Sequence, residues 1–324
     1  MLRKFALVCV ALLALIGLLS LVSAAVIAVK LHTAAVTYTV RGAPKPIPPQ
    51  AAAEDRYLEL LKRVLTRYGF ENGYGPLPQP RGAFKKLAYS AVYAFNRMMA
   101  PRRKQIVGYQ PVVWEDIEVG RTEPVNAETM IGLKRLDNIQ FCVTDVLRRK
   151  VPGDLIECGA WRGGACIFMR AILAEYGVKD RVVWVADSFE GLPKPDEDKY
   201  PELHWWSGGE MAVSLEEVQN NFRKYGLLDE QVKFLKGFFV DTLPKAPIQR
   251  ISVLRVDGNM YESVTQTLQY MYPKVSVGGY IILDDYGDHL PPARTAVDDY
   301  RKAHGITAPI ERVDYSGAFW RKER

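Results

Sequence analysis

The chain has 324 residues, which is enough for one sizeable α/β domain with additional segments. It carries 43 basic and 37 acidic residues, a net charge of +6, and no nucleic-acid-binding motif accompanies this excess. We therefore exclude nucleic acid as a partner and assign the charge to a membrane surface or to solubility.

The first segment of the chain predicts a membrane anchor. Residues 5–29 are uncharged and mostly apolar, and as a helix rising ~1.5 Å per residue they would exceed the ~30 Å hydrocarbon core of a bilayer. We therefore predict a transmembrane anchor over residues 1–31 and a single-pass membrane protein. A cleaved signal peptide is the alternative, because Arg3 and Lys4 precede the run and residues 22–24 resemble a cleavage site.

A linker and three helices are predicted next. The proline-rich sequence RGAPKPIPPQ marks residues 32–52 as a stiff linker. Residues 56–68 have the apolar spacing of an amphipathic helix, and residues 83–104 predict a basic helix that lies on a membrane surface or packs on the domain. Residues 126–149 predict a long helix capped by Asn126.

These helices suggest a division of the remaining chain. Residues 53–150 are expected to form a helical N-terminal and lid region, and residues 151–324 an α/β domain. The four cysteines do not form an extracellular disulfide framework, which indicates reduced thiols.

The domain begins with a predicted strand, loop, helix and strand. Residues 155–158 and 181–186 are short apolar runs typical of buried parallel strands, and residues 165–176 have helical periodicity that ends at Gly177. Ligands of open α/β sheets bind where such strands end. The loop after the first strand is therefore the expected binding edge.

The loop sequence ECGAWRGG indicates a nucleoside ligand without phosphates. It is neither G-x-G-x-x-G nor a P-loop, so it lacks the pattern of a pyrophosphate site. Gly159 permits a close backbone approach, Asp187 can accept hydrogen bonds from a ribose, and Glu157 can face the amino-acid end of S-adenosylmethionine (SAM). A glycine-rich turn that binds no ligand is the alternative.

The next elements are a loop, a helix and a third strand. Residues 192–211 are polar, contain tryptophan and are too long for a connector, which is typical of a lid. Ser214 and Glu217 have the spacing of a capping box at the start of a helix. Residues 232–235 predict a strand that is followed by Gly237.

Three aspartates follow two further predicted strands. The strand over residues 251–256 ends at Asp257, and the strand over residues 280–283 ends at Asp284 and Asp285. Neighbouring parallel strands end at the same edge of a sheet, so these carboxylates can bind one ion, and oxygen ligands favour Mg²⁺, less specifically Mn²⁺ or Ca²⁺. Aspartates that only cap the following turns are the alternative.

Segments spread over most of the chain resemble the macrocin O-methyltransferase family of SAM- and Mg²⁺-dependent sugar O-methyltransferases. They run in order from about Arg56 to Arg321 and include TMIGLKRLDNIQ, VPGDLIECGAWRGGACIFMRA, VWVADSFEGLP, LRVDGNMYES and GGYIILDDYG. The resemblance implies the α/β fold of a class I SAM-dependent methyltransferase. That fold is Rossmann-like, with helices on both faces of a seven-stranded, mostly parallel sheet whose last strand, here residues 316–321, is antiparallel.

The resemblance also implies roles for individual residues. The positions that match the SAM site are Thr129, Met130, Glu157, Cys158, Gly159, Ala160, Trp161, Asp187, Ser188, Phe189, Glu190, Gly191, Ser214 and Gly237. The positions that match metal ligands are Asp257, Asp284 and Asp285, and Asp257 is also the candidate general base. The chain departs from the family at Asn259, where Asp257-Gly258-Asn259 replaces the common D-G-D, and in its predicted anchor, linker and basic helix.

The predicted function is SAM- and Mg²⁺-dependent methylation of a hydroxyl on a sugar or glycosylated acceptor, which the anchor extends to lipid-linked acceptors. Because SAM is made in the cytosol, we expect the catalytic part on the cytoplasmic side of the membrane. The oligomeric state is open, a homo-oligomer included. Two alternatives are a membrane-anchored, metal-dependent glycosyltransferase, which needs a nucleotide-diphosphate site, and a non-catalytic SAM-fold binding module, which would lack the metal-binding acids.

Overall fold

The structure is a computed structural model that describes residues 53–70, 74–75, 90, 92, 94–98, 108–109, 113–122, 124, 126–194, 209, 211–288 and 291–324. The chain divides into two compact units, Met1–Gly42 with Glu71–Val113 and Ala43–Phe70 with Trp114–Arg324. In the first unit, the described strands β1 (Tyr74–Gly75) and β2 (Gly108–Tyr109) pair antiparallel. The division between residues 53–150 and 151–324 stays a prediction.

The second unit contains a seven-stranded mixed sheet. Its strands are β3 (Asp154–Cys158), β4 (Val183–Asp187), β5 (Val232–Lys236), β6 (Ile251–Val256), β7 (Val275–Leu283), β8 (Glu311–Arg312) and β9 (Ala318–Arg321). They lie in the order β5-β4-β3-β6-β7-β9-β8, with the first five parallel and β9 antiparallel to both of its neighbours. A mostly parallel sheet with an antiparallel last strand is what the family resemblance implied.

Helices cover both faces of this sheet. They are α1 (Ala53–Thr66), α2 (Trp114–Glu118), α3 (Gly132–Arg148), α4 (Gly164–Glu175), α5 (Leu215–Lys224), α6 (Phe239–Thr242), α7 (Tyr261–Met271) and α8 (Pro291–Ala303). Alternate residues of each central strand belong to different hydrophobic clusters. Leu155 lies in the cluster that contains residues of α1, α3, α4 and α5, and Ile156 lies in the cluster that contains residues of α7 and α8. Burial on both faces explains why the central strands are mostly apolar.

The fold-class prediction needs one correction. Within the part of the chain that the structure describes, no helix combines the length and apolar composition needed to cross a membrane. The predicted transmembrane helix, and the single-pass membrane localisation with a cytoplasmic catalytic part, therefore have no support and are withdrawn. The segment on which they rested, residues 1–31, lies outside the described residues, as do the linker over residues 32–52 and most of the predicted basic helix and lid loop.

The helix predicted to start at Asn126 begins later, at Gly132. Residues 127–131 instead form a non-helical connection, because the backbone amides of Glu128 and Thr129 donate to the carbonyl of Leu65, at 2.9 and 3.3 Å, at the end of α1. Gly132 then has a φ of +73°, a left-handed conformation that favours glycine. The consequence is that residues 129–131 line a cavity rather than the side of a helix.

Candidate active site

A cavity of about 470 Å³ lies at the carboxyl ends of the central parallel strands. It is lined by the residues after β3, β4, β6 and β7, by the connection before α3 and by the start of α6. The predicted site residues among its lining are Thr129, Met130, Glu157, Gly159, Ala160, Trp161, Asp187, Ser188, Gly191, Asp257, Asp284 and Asp285. Residues far apart in the sequence thus meet in one cavity.

Five other predicted site residues are not among the described lining. Cys158 is fully buried in the sheet, and the Phe189 ring packs edge-on against Phe234, with ring centroids 6.2 Å apart. The backbone amide of Glu190 donates to the Ser188 hydroxyl at 3.0 Å.

Ser214 and Gly237 have local roles in the structure. The Ser214 hydroxyl accepts from the Glu217 amide at 3.2 Å, so the predicted cap of α5 is present. The Gly237 amide donates to the Asp187 carbonyl at 2.9 Å and so links the ends of two strands.

The loop after β3 is held close to β6 and β4. Gly159 has a φ of +97°, and a Cβ at this position would lie 1.8 Å from the carbonyl oxygen of Asp257, so only glycine fits. The Asp187 carboxylate accepts from the amides of Ala160 at 2.7 Å and Trp161 at 3.3 Å. Asp187 therefore orders the loop in addition to facing the cavity.

Three carboxylates meet at the ends of β6 and β7. Asp257, Asp284 and Asp285 each offer an oxygen, and these three oxygens lie within 4.8 Å of one another. All three residues line the cavity. Such a group of hard oxygen donors suits a divalent cation such as Mg²⁺.

A buried arginine sits among these acids. Arg255, on β6, is 1% exposed, and its Nη1 donates to Glu157 Oε1 and, at 2.7 Å, to Asp257 Oδ2. Its Nη2 donates to Asp284 Oδ1. One guanidinium thus donates hydrogen bonds to carboxylates at the ends of three strands.

A second arginine, Arg135 on α3, holds Asp284 from the other side. Its Nη1 donates to Asp284 Oδ2 at 2.7 Å, and its Nε donates to Asp314 Oδ2 at 3.0 Å. Both oxygens of Asp284 therefore accept a hydrogen bond from a guanidinium.

This arrangement can be compared with known proteins. Residues 54–322 match the model of the family described as Macrocin-O-methyltransferase (TylF). The chain belongs to the macrocin O-methyltransferase family. Membership identifies it as an O-methyltransferase, and the family and fold imply SAM as the methyl donor. The glycosyltransferase and the non-catalytic module are thereby set aside.

Curated relatives are similar to this chain over much of their own length. A demethyldecarbamoylnovobiocin O-methyltransferase of Streptomyces niveus is 55% identical over 63% of this chain and 79% of its own. An 8-demethyl-8-(2,3-dimethoxy-alpha-L-rhamnosyl)-tetracenomycin-C 4'-O-methyltransferase of Streptomyces olivaceus is 45% identical over 83% of this chain and 93% of its own. A mycinamicin III 3''-O-methyltransferase of Micromonospora griseorubida is 50% identical over 65% and 84%.

Solved structures agree with the macrocin-family fold. The O-methyltransferase NovP superposes with a TM-score of 0.68 at 44% identity and covers 84% of this chain and 100% of its own. The calicheamicin methyltransferase CalS11 superposes with a TM-score of 0.50 at 17% identity over 76% of this chain and 98% of its own, which supports the fold alone.

Burial and crowding raise the pKa of three acids in this macrocin-family site, Glu157, Asp257 and Asp285. Burial, together with the neighbouring Asp257 and Asp284 charges, raises the pKa of Glu157 to about 7, although Arg255 opposes the rise. Burial and the Asp284 charge raise the pKa of Asp257 to about 6, again against Arg255. Both groups thus hold protons more tightly than ordinary carboxyls, as expected where acids are packed together.

Asp285 and Asp284 differ from each other. Burial and the charges of Asp257 and Asp284 hold the pKa of Asp285 well above its usual range. Burial also disfavours ionised Asp284, but Arg135 and Arg255 outweigh it and lower the pKa of this carboxyl. Asp284 is therefore the most firmly ionised of the three aspartates.

Neither Arg135 nor Arg255 was predicted from the sequence as a site residue. The sequence could have indicated Arg255, because an arginine inside the buried strand ISVLRV needs a buried acidic partner. No sequence pattern indicated Arg135, since it lies 149 positions from Asp284 on an amphipathic helix where arginine is common.

Proposed function

We propose that this enzyme methylates a hydroxyl on a sugar of a glycosylated natural product, with a divalent cation, Mg²⁺, held by Asp257, Asp284 and Asp285. The three-carboxylate cluster carries the proposal, because its oxygens open into the same cavity as the candidate SAM residues. The named relatives support the acceptor class: one acts on a rhamnosyl tetracenomycin. A lipid-linked acceptor is no longer proposed, because it was inferred from the membrane anchor, which has no support.

The residues that line the cavity are of the types that bind SAM and a divalent cation. On the cofactor side, Glu157 and Asp187 supply acceptors at two strand ends, and Gly159 lines the same cavity. We keep the other residues proposed for the SAM site, Thr129, Met130, Cys158, Ala160, Trp161, Ser188, Phe189, Glu190, Gly191, Ser214 and Gly237, as part of the same proposal. On the metal side, the aspartates are oxygen ligands of the type that Mg²⁺ selects.

The chemistry assigns different roles to the residues. Bound SAM would supply an electrophilic methyl group, and a divalent cation would lower the pKa of the acceptor hydroxyl. Asp257 would accept the hydroxyl proton as the methyl group moves to the acceptor oxygen and the carbon–sulfur bond breaks, which would leave a neutral thioether. Asp284 and Asp285 would hold the cation and, with the cavity walls, orient the acceptor.

Methyl transfer from radiolabelled SAM to a panel of glycosides, with and without EDTA, tests the proposal. EDTA should abolish transfer and added Mg²⁺ should restore it, and Asp284→Asn should lower the rate about 100-fold or more because it removes a charged ligand. Asp288→Asn is the matched control, since Asp288 is an exposed acid near the same edge with a side chain that is 85% exposed. Full activity in EDTA, or an Asp284→Asn variant as active as Asp288→Asn, would refute the metal role.

A further inference from the structure

Arg255 lies between the two halves of the cavity. Its Nη1 bonds Glu157, which we assign to the cofactor side, and also Asp257, which we assign to the metal side. Its Nη2 bonds Asp284, a second proposed metal ligand. With 1% exposure, the guanidinium is shielded from water, so it depends on these carboxylates for its hydrogen bonds.

Glu157 and Asp284 have different hydrogen-bond partners besides Arg255. Glu157 Oε2 accepts a hydrogen bond at 2.7 Å from the Cys166 thiol, and a thiol is a weak donor. Asp284 is also held by Arg135, which does not bond Glu157. Among the described hydrogen bonds, Arg255 is thus the direct connection between Glu157 and the aspartates.

We propose that Arg255 is a positioning residue that couples the cofactor half of the cavity to the metal half, so that occupancy of either half weakens binding in the other. This inference rests on the proposed function. The physical reason is a shared counter-cation: a ligand ammonium that engages Glu157 frees the guanidinium to bond the aspartates more closely, and these then offer less charge to a metal ion. A metal ion on the aspartates drives the opposite shift toward Glu157.

Coupling of this kind is reciprocal, and coupling between protein sites typically changes affinity about 5–150-fold. The geometry requires a fork of donors, because the three carboxylates are served by two different nitrogens of one planar group. A lysine keeps the charge but offers one ammonium nitrogen, which is not equivalent to the planar guanidinium. Arg255→Lys should therefore reduce the coupling while preserving net charge.

The experiment measures Mn²⁺ affinity of the full chain, by electron paramagnetic resonance, with and without saturating S-adenosylhomocysteine. This compound keeps the amino-acid end of SAM but lacks the sulfonium charge, so direct repulsion from that charge is removed. We expect the Mn²⁺ dissociation constant of the wild type to rise about fivefold or more with the compound bound. In Arg255→Lys the ratio of the two constants should fall close to one.

Two variants separate coupling from general damage. Arg135 bonds Asp284 on the metal side and does not bond Glu157, so Arg135→Lys should change the Mn²⁺ affinity by the same factor in both states and leave the ratio unchanged. Arg170→Lys alters a buried arginine that pairs with Asp229 away from the cavity lining, and should change neither constant. If Arg255→Lys fails to fold, Glu157→Gln removes the cofactor-side charge and should likewise bring the ratio close to one.

Failure of the metal site and failure of the coupling give different results in this experiment. A wild-type protein that does not bind Mn²⁺ at all overturns both. Mn²⁺ binding that is lost in Asp284→Asn but is unaffected or strengthened by S-adenosylhomocysteine leaves the metal site standing and overturns the coupling. A wild-type ratio retained by folded Arg255→Lys, or by Glu157→Gln, overturns the assignment to Arg255.

Discussion

At the scale of single residues, Gly159 determines how closely two strand ends approach. A Cβ there would lie 1.8 Å from the Asp257 carbonyl oxygen, whereas at Gly177, which also has a positive φ, no atom lies within 4 Å. Both substitutions to alanine place a side chain in a left-handed conformation, at a cost of about 1–2 kcal/mol. The clash is specific to Gly159.

We expect Gly159→Ala to lower the free energy of unfolding by about 1–3 kcal/mol more than Gly177→Ala does, because overpacking adds to the backbone strain. It should also weaken SAM binding at least tenfold, while Gly177→Ala leaves that affinity unchanged. Chemical denaturation and calorimetry measure the two effects. Equal losses of stability in both variants would show that the strand ends can move apart freely.

The ion pair between Asp229 and Arg170 gives stability a dependence on pH. Hydrogen bonds from Arg170 lower the pKa of the Asp229 carboxyl, with burial acting against them. A carboxyl whose pKa is lower in the folded than in the unfolded state stabilises the protein above the unfolded value, near 4, and loses this contribution as the pH falls through the folded value.

Asp229→Asn should therefore destabilise the protein by ~1–2 kcal/mol at pH 7, a value reduced by solvent because the Asp229 side chain is 31% exposed. The difference from wild type should shrink as the pH falls below about 4, because the carboxyl is protonated first in the unfolded chain, and should disappear below the lowered pKa of Asp229 in the folded protein. Denaturant titrations between pH 3 and 8 measure it, with the exposed Asp288→Asn as the control. A difference that stays constant down to pH 3 would contradict the assignment.

At the scale of elements, the start of α5 is set by one hydroxyl. Ser214 has an extended backbone and accepts from the Glu217 amide, and acidic residues occupy the first turn of the helix. The helix is held to the core through Val218 and Phe222. Loss of the cap should therefore weaken the element without removing its packing.

We predict that Ser214→Ala lowers the free energy of unfolding by ~1 kcal/mol and that Ser214→Asn, which can also cap, stays within a few tenths of wild type. Thermal denaturation of the three proteins measures the difference. SAM affinity of the same variants tests separately whether Ser214 also contacts the cofactor. Equal destabilisation by alanine and asparagine would mean that the hydroxyl does more than cap the helix.

A second element differs from its sequence pattern for a tertiary reason. The capping residue Asn126 favoured a single helix over residues 126–149, but the amides of Glu128 and Thr129 bond to the end of α1, and the Glu128 carbonyl accepts from Gly164. Such bonds join segments that are distant in sequence, so the local pattern could not indicate them. They also bring Thr129 and Met130 to the cavity.

At the scale of the whole molecule, the binding edge and the core share the same strands. β3 contributes Leu155 to one hydrophobic cluster and Ile156 to the other, and then leads directly into the cavity at Glu157 and Gly159. A ligand bound at this edge therefore contacts elements that both clusters hold in place.

Saturating SAM, at about 100 times its dissociation constant, should raise the free energy of unfolding by ~2.7 kcal/mol, which for a domain of this size is roughly 5–11 °C in melting temperature. Differential scanning fluorimetry measures the shift, with UDP-glucose as the control ligand. The shift should be much smaller in Gly159→Ala. A shift produced by UDP-glucose and not by SAM would contradict the cofactor assignment.

The sequence by itself determined the five parallel strands of the sheet, several of the helices, the capped start of α5 and the three aspartates at strand ends. These features follow from periodicity, glycine positions and residue type within short windows, which is why they could be predicted. The mostly parallel order of the sheet, with an antiparallel last strand, followed from the family resemblance. The apolar character of residues 5–29 equally predicted a membrane helix, a conclusion that gained no support from the described structure.

Only the tertiary structure decided how the charges of the site are balanced. Arg255 reaches Glu157 across 98 positions and Arg135 reaches Asp284 across 149, and no local pattern records such pairings. The sequence suggested acids that repel one another unless a cation binds, whereas folding brings two arginines among them. Buried charges require partners wherever the fold places them. The sequence therefore specified the acids, and the packing of α3 and β6 against the strand ends specified their counter-charges.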